Sequence, residues 1–141
     1  MAVNILIVDD SLPMRSVIMK TIKASGFGAA NFHQAADGAK ALGVLKNEWM
    51  DLVITDYNMP EMNGGELISA MKKDDEMSSI PVIVVTTEGS QNKVKEFIKM
   101  GADAYVKKPF TPESIKEKLT QLLGEMHDED SIEDSDDGLD F

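Results

Sequence analysis

Short apolar runs that contain many β-branched residues recur along the chain and predict strands. The three clearest runs are apolar along nearly their whole length, without alternation between apolar and polar residues. This pattern is typical of strands that are buried on both faces of a parallel sheet. The predicted strands are Ile5–Val8, Leu52–Thr55, Val82–Thr86 and Ala104–Val106, together with a weaker candidate at Ala30–Gln34.

Segments with an apolar residue every three or four positions separate these runs and predict helices. Ser11 and Thr111 are suited to cap two of the helices, each followed by a proline in the first turn, and Gly26 is expected to end the first helix. The first predicted helix lies between Ser11 and Gly26, and the four that follow it are Asp37–Lys46, Gly64–Lys73, Gln91–Met100 and Thr111–Leu123. Strands and helices therefore alternate five times, which predicts an α/β fold in which helices cover both faces of a parallel sheet.

The net charge of −11 is concentrated near one end of the sequence. Residues 125–141 contain nine acidic residues and no Lys or Arg, so residues 1–124 contain 16 acidic and 14 basic residues. This distribution argues against nucleic acid as a partner. We expect one monomeric domain at 1–124 and an acidic, disordered tail at 125–141. The alternative for the tail is a docking motif ending in Leu139 and Phe141, for a partner or for the domain's own output face.

Composition also bears on the compartment. No apolar run approaches the roughly 18–20 residues of a membrane span, and the first residues lack a basic leader. The absence of cysteine excludes disulfides, thiolate metal sites and a cysteine nucleophile. We therefore expect a cytoplasmic protein that has no membrane partner.

Polar side chains stand where four of the predicted strands end. They are Asp9 and Asp10 after the first strand, Asp56 at the third, Thr86 and Thr87 at the fourth, and Lys108 after the fifth. Carboxyl ends of parallel strands meet at one edge of a sheet, where ligand sites form. Carboxylates held close together repel unless one is protonated or a cation binds, and oxygen ligands suit Mg²⁺.

Such a pocket meets the requirements of phosphoryl transfer, with Asp56 as nucleophile, Lys108 and a metal as cations, and Thr86 as hydrogen-bond donor. Each residue alone has a simpler interpretation. Asp9 and Asp10 would favour the start of a helix, and the residues after Asp56 would form an ordinary turn. Their joint position at one edge is much harder to explain in that way.

Four stretches resemble the receiver domain of two-component response regulators. They are Ile7-Val8-Asp9-Asp10-Ser11, Thr55-Asp56-Tyr57-Asn58-Met59-Pro60, Pro81-Val82-Ile83-Val84-Val85-Thr86 and Tyr105-Val106-Lys107-Lys108-Pro109-Phe110. The resemblance runs from Val3 to Leu123, and is strongest to single-domain chemotaxis regulators of the CheY type. It implies a flavodoxin-like, doubly wound (βα)5 sheet with the strand order 2-1-3-4-5.

The resemblance also implies roles for the pocket residues. Asp56 matches the phosphoacceptor, which takes its phosphoryl group from a phosphohistidine of a sensor kinase. Asp10, Asp56 and the backbone carbonyl of Asn58 match direct Mg²⁺ ligands, and Asp9 matches a partner that acts through water. Lys108 matches the lysine that pairs with the phosphoryl oxygens, and the peptide bond that follows it is usually cis in the family.

Further positions match the family's switch and output surface. Thr86 and Tyr105 match the switch pair, in which the hydroxyl moves to the phosphoryl group and the aromatic ring turns inward. The output surface lies on the fourth helix, fifth strand and fifth helix, and its candidates here are Val94, Ile98, Tyr105, Lys107 and Lys118. Val94 and Ile98 would alternatively belong to the core.

The departures from the family pattern concern the phosphate lifetime and one helix. Asn58 and Glu88 match positions that tune the lifetime of the aspartyl phosphate, and Thr87 stands where many receivers have alanine. Asn63-Gly64-Gly65 replaces a run with one glycine and is expected to loosen the start of the third helix.

The implied function is a phosphorylation-controlled binding module and not an enzyme, although it assists its own Mg²⁺-dependent phosphorylation and dephosphorylation. The implied partners are a chemotaxis-type sensor histidine kinase, a flagellar motor switch protein or another phospho-dependent target, and a phosphatase. The alternative is a phosphorelay intermediate or phosphate sink outside chemotaxis. A flavin protein would have a hydroxyl- and glycine-rich loop after the first strand, where this chain has carboxylates.

Overall fold

The computed structural model describes residues 3–59, 62–87 and 90–124. Strands and helices alternate as predicted, and each strand lies within one residue of its expected position. The strands are β1 (Asn4–Val8), β2 (Asn31–Ala35), β3 (Leu52–Asp56), β4 (Val82–Thr86) and β5 (Ala104–Lys107). The helices are α1 (Leu12–Ile22), α2 (Gly38–Asn47), α3 (Gly64–Lys72), α4 (Gln91–Met100) and α5 (Pro112–Leu123).

The five strands form one parallel sheet in the order β2-β1-β3-β4-β5. The flavodoxin-like order implied by the resemblance is therefore confirmed. Val8 is in register with Thr55, Asp56 with Val85, and Thr86 with Lys107. This register brings the carboxyl ends of β1, β3, β4 and β5 to the same edge of the sheet.

Apolar side chains of the strands enter two core layers, one on each face of the sheet. In β1, Leu6 and Val8 enter the layer beneath α2, α3 and α4, whereas Ile5 and Ile7 enter the layer beneath α1 and α5. Burial on both faces explains why the runs are continuously apolar. Each fully buried side chain of this kind stabilises the fold by roughly 1.5–3 kcal/mol relative to an exposed one.

The starts of the helices follow the capping rules, and at α3 the expectation was wrong. The expected loosening does not occur, because Asn63 and Glu66 form a capping box. The Asn63 side chain accepts a hydrogen bond from Glu66 N at 2.9 Å, and Glu66 Oε1 accepts one from Asn63 N at 3.0 Å. Gly64 N also donates to Tyr57 O at 2.8 Å, which ties the helix start to the end of β3. These bonds satisfy amide groups that would otherwise be free at a helix start.

Two backbone features agree with the sequence. Helix α1 runs into a π-type turn, Lys23–Phe27, and Gly26 within that turn has a φ of 107°, which interrupts the helical geometry. The Lys108–Pro109 peptide bond is cis, as the resemblance to receiver domains implies. Among the described helices, none is long and apolar enough to cross a membrane.

Candidate functional site

Backbone hydrogen bonds at the ends of the strands place the polar side chains of the site. Asp9 directly follows β1, and its N–H donates to Ala35 O at 3.1 Å. Asp56 is the last residue of β3. Lys108 directly follows β5, and its N–H donates to Thr86 O at 2.7 Å, which extends the β4–β5 pairing by one bond. Three functional groups are thereby fixed at one edge by the sheet.

The Lys108 ammonium group lies between two carboxylates. Its Nζ is 3.4 Å from Asp56 Oδ1 and 3.7 Å from Asp9 Oδ2. The exposed fractions of the side chains are 18% for Lys108, 13% for Asp56 and 2% for Asp9. The more exposed Asp10 completes the group, since one carboxylate oxygen from each of the three aspartates lies within 4.8 Å of the others. Among the described residues, Lys108 thus pairs with two of the three clustered aspartates.

One carboxylate oxygen of this group has no hydrogen-bond partner. Asp9 Oδ1 accepts a bond from Ser11 N at 2.9 Å, whereas the buried Asp9 Oδ2 has none among the residues that the structure describes. Buried polar atoms in folded proteins are nearly always paired with protein groups or with water. The unpaired oxygen therefore fits a site in which a bound water or cation completes its coordination.

The protonation of Asp56 reflects the same shortage of positive charge. Burial raises the pKa of the Asp56 carboxyl group, attraction to Lys108 lowers it, and repulsion from Asp9 raises it again. The net result is a pKa above the ordinary value of an aspartate. Clustered carboxylates with open oxygen ligands match the donor set that Mg²⁺ prefers. The residues present therefore fit a Mg²⁺ ion.

The predicted switch pair lies beside this group. Thr86 is buried at the end of β4, and its carbonyl accepts the bond from Lys108. Tyr105 on β5 is half-buried and packs against the core layer that contains Phe97 of α4. Thr86 is therefore adjacent to Lys108, and Tyr105 packs on the core layer that includes α4, while the movement of both residues stays a prediction.

The predicted output residues differ in exposure. Ile98 on α4 is 49% exposed and is not part of the core, whereas Val94 is half-buried. Lys107 is exposed and Lys118 is half-buried. These residues occupy α4, β5 and α5, as the resemblance implies, and their role in output stays a prediction.

Two of the three predicted lifetime residues, Asn58 and Thr87, follow β3 and β4 at exposed positions. Asn58 is exposed in the loop after β3. Thr87 is also exposed and lines a groove of about 350 Å³ together with Lys108. The remaining lining residues are Met14, Val17, Pro109 and Phe110. Glu88 lies outside the residues that the structure describes.

An aromatic contact between the site and α4 was not predicted from the sequence. The ring of Tyr57, the residue after Asp56, packs against Phe97 with centroids 5.1 Å apart and planes tilted by 48°. Lys93 Nζ lies 5.7 Å from the centre of the Tyr57 ring. Gly65 leaves space for this packing, because a Cβ atom there would be 3.0 Å from Met100 Sδ and 3.4 Å from Tyr57 Cε1. The adjacency of Tyr57 to Asp56 was the available signal.

Arg15 was also missed. Its Nη1 donates to Asp9 O at 2.6 Å, and its Nε donates to Gln34 Oε1 at 2.9 Å. The side chain therefore links α1 to the loop that carries the acidic pair. Its position one helical turn after Ser11 was the signal in the sequence.

Comparison with known proteins agrees with this geometry. Residues 5–120 match the response regulator receiver domain, and the chain therefore belongs to that family. It is 42% identical over 122 residues to the chemotaxis protein CheY homolog of Campylobacter jejuni, covering 86% of this chain and 92% of the relative. It is 40% identical over 122 residues to chemotaxis protein CheY1 of Helicobacter pylori, covering 86% and 97%.

The solved structure of Vibrio cholerae chemotaxis protein CheY4 is also similar. It aligns with a TM-score of 0.78 at 32% identity, covering 86% of this chain and 99% of the other. Together these matches identify a receiver domain of the CheY-type chemotaxis regulators, which confirms the family that the motifs predicted. Receiver domains generally bind Mg²⁺ at an acidic pocket, and the Asp9, Asp10 and Asp56 group has that character.

Proposed function

We propose that Asp56 accepts a phosphoryl group from the phosphohistidine of a chemotaxis-type sensor histidine kinase. The observation that carries this proposal is the pairing of Asp56 Oδ1 with Lys108 Nζ at 3.4 Å, beside the unpaired buried oxygen of Asp9. A nucleophile, a fixed cation and an acidic group with unfilled coordination lie together at one edge.

In the transfer, an Asp56 carboxylate oxygen attacks the phosphorus atom. The phosphorus–nitrogen bond of the phosphohistidine breaks, its electron pair stays on the imidazole, and an acyl phosphate forms on Asp56. The ammonium group of Lys108 attracts the transferred oxygens, and the Thr86 hydroxyl donates a hydrogen bond to one of them. Positioning and charge stabilisation of this kind account for most of the catalysis in phosphoryl transfer.

The carboxylates of Asp9, Asp10 and Asp56 and the carbonyl of Asn58 would hold a Mg²⁺ ion. When bound, the ion offsets the negative charge of the phosphoryl oxygens. Asp9, the most buried of the three, would act through water, while Asp10 and Asp56 would be direct ligands. Asn58, Thr87 and Glu88 set the lifetime of the acyl phosphate through the access they allow to water.

The new charge on Asp56 then changes the output surface. Phosphorylation adds about 1.5–2 negative charges and three acceptor oxygens, which Thr86 and Lys108 satisfy. Movement of Thr86 allows the Tyr105 ring to turn inward and alters the surface that carries Val94, Ile98, Lys107 and Lys118. The partner that binds this altered surface is a flagellar motor switch protein. A phosphatase removes the phosphoryl group from Asp56. The protein acts as a cytoplasmic monomer.

Phosphorylation is tested with acetyl phosphate and Mg²⁺, with mass spectrometry as the readout. The unmodified protein gains one phosphoryl group, whereas Asp56→Asn gains none. Asp51→Asn is the matched control, because Asp51 lies at the opposite end of β3, and it is labelled like the unmodified protein. Persistent labelling of Asp56→Asn would contradict the proposal.

The partner is tested by the affinity for a motor switch peptide with and without an acyl-phosphate mimic on the protein. Tighter binding in the presence of the mimic supports the motor switch as the target. Unchanged affinity would replace that target with a phosphorelay or phosphate-sink role and would leave the phosphorylation of Asp56 intact.

A further inference from the structure

The charges of the domain are unevenly placed, and one face is basic. We call the surface formed by α4, β5 and α5 the basic face. These three elements contain six lysines and three glutamates, whereas the rest of residues 1–124 contains eight basic and 13 acidic residues. A net charge of +3 on this face therefore contrasts with −5 elsewhere in the domain.

Helix α4 presents an exposed apolar side chain between two of these lysines. Lys95, Ile98 and Lys99 are separated by three and four residues and therefore lie on one side of the helix. All three are exposed, while Phe97 on the opposite side is buried in the core. An apolar residue flanked by lysines suits an acidic segment that contains apolar residues.

The neighbouring part of the basic face contains a groove. Its volume is about 310 Å³, and Tyr105, Phe110, Lys107 and Lys118 line it together with Glu117. Aromatic walls and two lysines provide an apolar floor with positive charge at the rim. Helix α4 and this groove thus offer the same combination of chemistry on adjoining elements.

A segment with complementary chemistry follows α5 in the same chain. Residues 125–141 contain nine acidic residues, no Lys or Arg, and the apolar residues Ile132, Leu139 and Phe141. The segment lies beyond residue 120, where the family match ends, so the family supplies no role for it. Its charge of −9 is opposite in sign to the +3 of the basic face, whereas the rest of the domain is negative like the segment itself.

The length of the segment is suited to this face. Helix α5 has 12 residues and spans about 18 Å, and the segment leaves from its end at Gly124. A chain of 17 residues reaches at most about 56 Å when fully extended. Because this reach exceeds the length of α5, the segment can contact every part of the basic face, and its covalent attachment gives it an effective concentration there on the order of millimolar.

We infer that residues 125–141 dock on the basic face of the same molecule, with their acidic residues on the lysines and their apolar residues at Ile98 and in the groove. The proposed function assigns output to this face, and one consequence of docking rests on that assignment. An output partner must displace the segment before the partner binds. A segment with millimolar intrinsic affinity would already occupy about half of the molecules.

Docking is tested in the full chain by paramagnetic broadening. The protein contains no cysteine, so a nitroxide on Ser135→Cys labels the segment alone. We expect loss of amide signal intensity in α4, β5 and α5, and recovery when the nitroxide is reduced. The loss should also disappear at about 1 M salt, where the Debye length is about 3 Å.

Matched charge reversals separate specific docking from general attraction. Lys95→Glu with Lys99→Glu should abolish the broadening, whereas Lys40→Glu with Lys46→Glu on α2 should leave it unchanged. All four lysines are exposed, so the amide spectra of both variants should retain the fold. Broadening that is absent, that lies on other elements or that disappears on dilution would overturn the inference.

These outcomes do not depend on phosphorylation. A failure of docking would leave acetyl phosphate labelling of Asp56 unchanged. Conversely, a failure of labelling would leave the broadening unchanged and would remove only its consequence for output.

Discussion

Carboxylates occur at both ends of the sheet, but their oxygens are paired very differently. At the amino ends of the strands, Asp51 Oδ2 accepts a hydrogen bond from Asn4 N at 2.8 Å, and its Oδ1 accepts one from Trp49 Nε1 at 3.3 Å. Asp103 Oδ2 accepts a bond from Val82 N at 2.9 Å. These carboxylates satisfy backbone amides that lie at strand starts, and they join neighbouring strands.

At the carboxyl ends, the acidic residues are held close together without enough partners. Asp9 and Asp56 share one lysine, and Asp9 Oδ2 is buried without a hydrogen bond from the described residues. Burial of a charged oxygen that lacks a hydrogen bond opposes folding. Acidic residues at one end therefore stabilise the sheet, while those at the other end share few partners, at the site that we propose to bind Mg²⁺ and a phosphoryl group.

Removal of Lys108, the lysine shared by Asp9 and Asp56, should have the largest effect, which is on the rate of phosphorylation at the carboxyl ends of the strands. Lys108→Met removes the cation that faces Asp56, and a charge-assisted hydrogen bond contributes about 1.5–3 kcal/mol. We expect the rate of labelling by acetyl phosphate to fall by roughly 10- to 100-fold. The control is Lys107→Met, an exposed neighbour, which should retain the rate. Equal rates for the two variants would contradict the role of Lys108.

Addition of Mg²⁺ should stabilise the folded protein through the carboxylates at the carboxyl ends of the strands, and not through those at the amino ends. A ligand that binds the folded state alone raises the free energy of unfolding by about 2.7 kcal/mol at 100 times its Kd. Asp9→Asn and Asp10→Asn should each reduce this gain, measured by urea unfolding at fixed Mg²⁺. Asp51→Asn should retain it, and an equal reduction in that variant would show that the ion binds elsewhere.

Removal of a paired carboxylate should lower stability without affecting function. Asp51→Ala removes the acceptor of Asn4 N and Trp49 Nε1, and because water can reach these donors the loss should be about 0.5–1.5 kcal/mol of the free energy of unfolding. Chemical denaturation measures this loss, and acetyl phosphate labelling of the folded variant should be unchanged. Slower labelling would mean that the two ends of the sheet are coupled.

Neutralisation of Asp56 should have the smallest effect, and it should raise the free energy of unfolding, whereas Asp51→Ala lowers it. Because the pKa of Asp56 is raised in the folded state, ionisation of this residue opposes folding at neutral pH. Without divalent cations, Asp56→Asn should therefore be more stable than the unmodified protein at neutral pH. The difference should shrink as the pH falls through the folded-state pKa, because the unmodified protein then takes up the proton.

Urea unfolding at a series of pH values measures this difference. A difference that grows in acid would show that the folded state favours the ionised form of Asp56. Asp51→Asn, measured in parallel, should gain no stability at neutral pH.

The fold was largely predictable from the sequence because burial on both faces leaves a strong signal. β1, β3 and β4 are continuously apolar for this reason. β2 lies at an edge of the sheet and is only partly buried, so its pattern was weak. The start of α3 was predicted wrongly, because the pair of glycines suggested flexibility while Asn63 and Glu66 fix the backbone.

The site was predictable as a set of residues but not as a set of contacts. Strand ends placed Asp9, Asp56 and Lys108 at one edge, since the topology of a parallel sheet determines that edge. The sharing of Lys108 by two carboxylates depends on side-chain rotamers and burial. The Tyr57–Phe97 contact depends on the space at Gly65, which only packing in three dimensions reveals.

Reductive trapping of the phosphorylated residue tests the central claim most directly. After incubation with acetyl phosphate and Mg²⁺, borohydride reduces an aspartyl phosphate to homoserine, and peptide mass spectrometry locates the modified residue. The account predicts homoserine at position 56 alone, and none in protein that was not phosphorylated. Homoserine at position 9 or 10, or at none of the aspartates, would contradict the assignment of Asp56 as the phosphoacceptor.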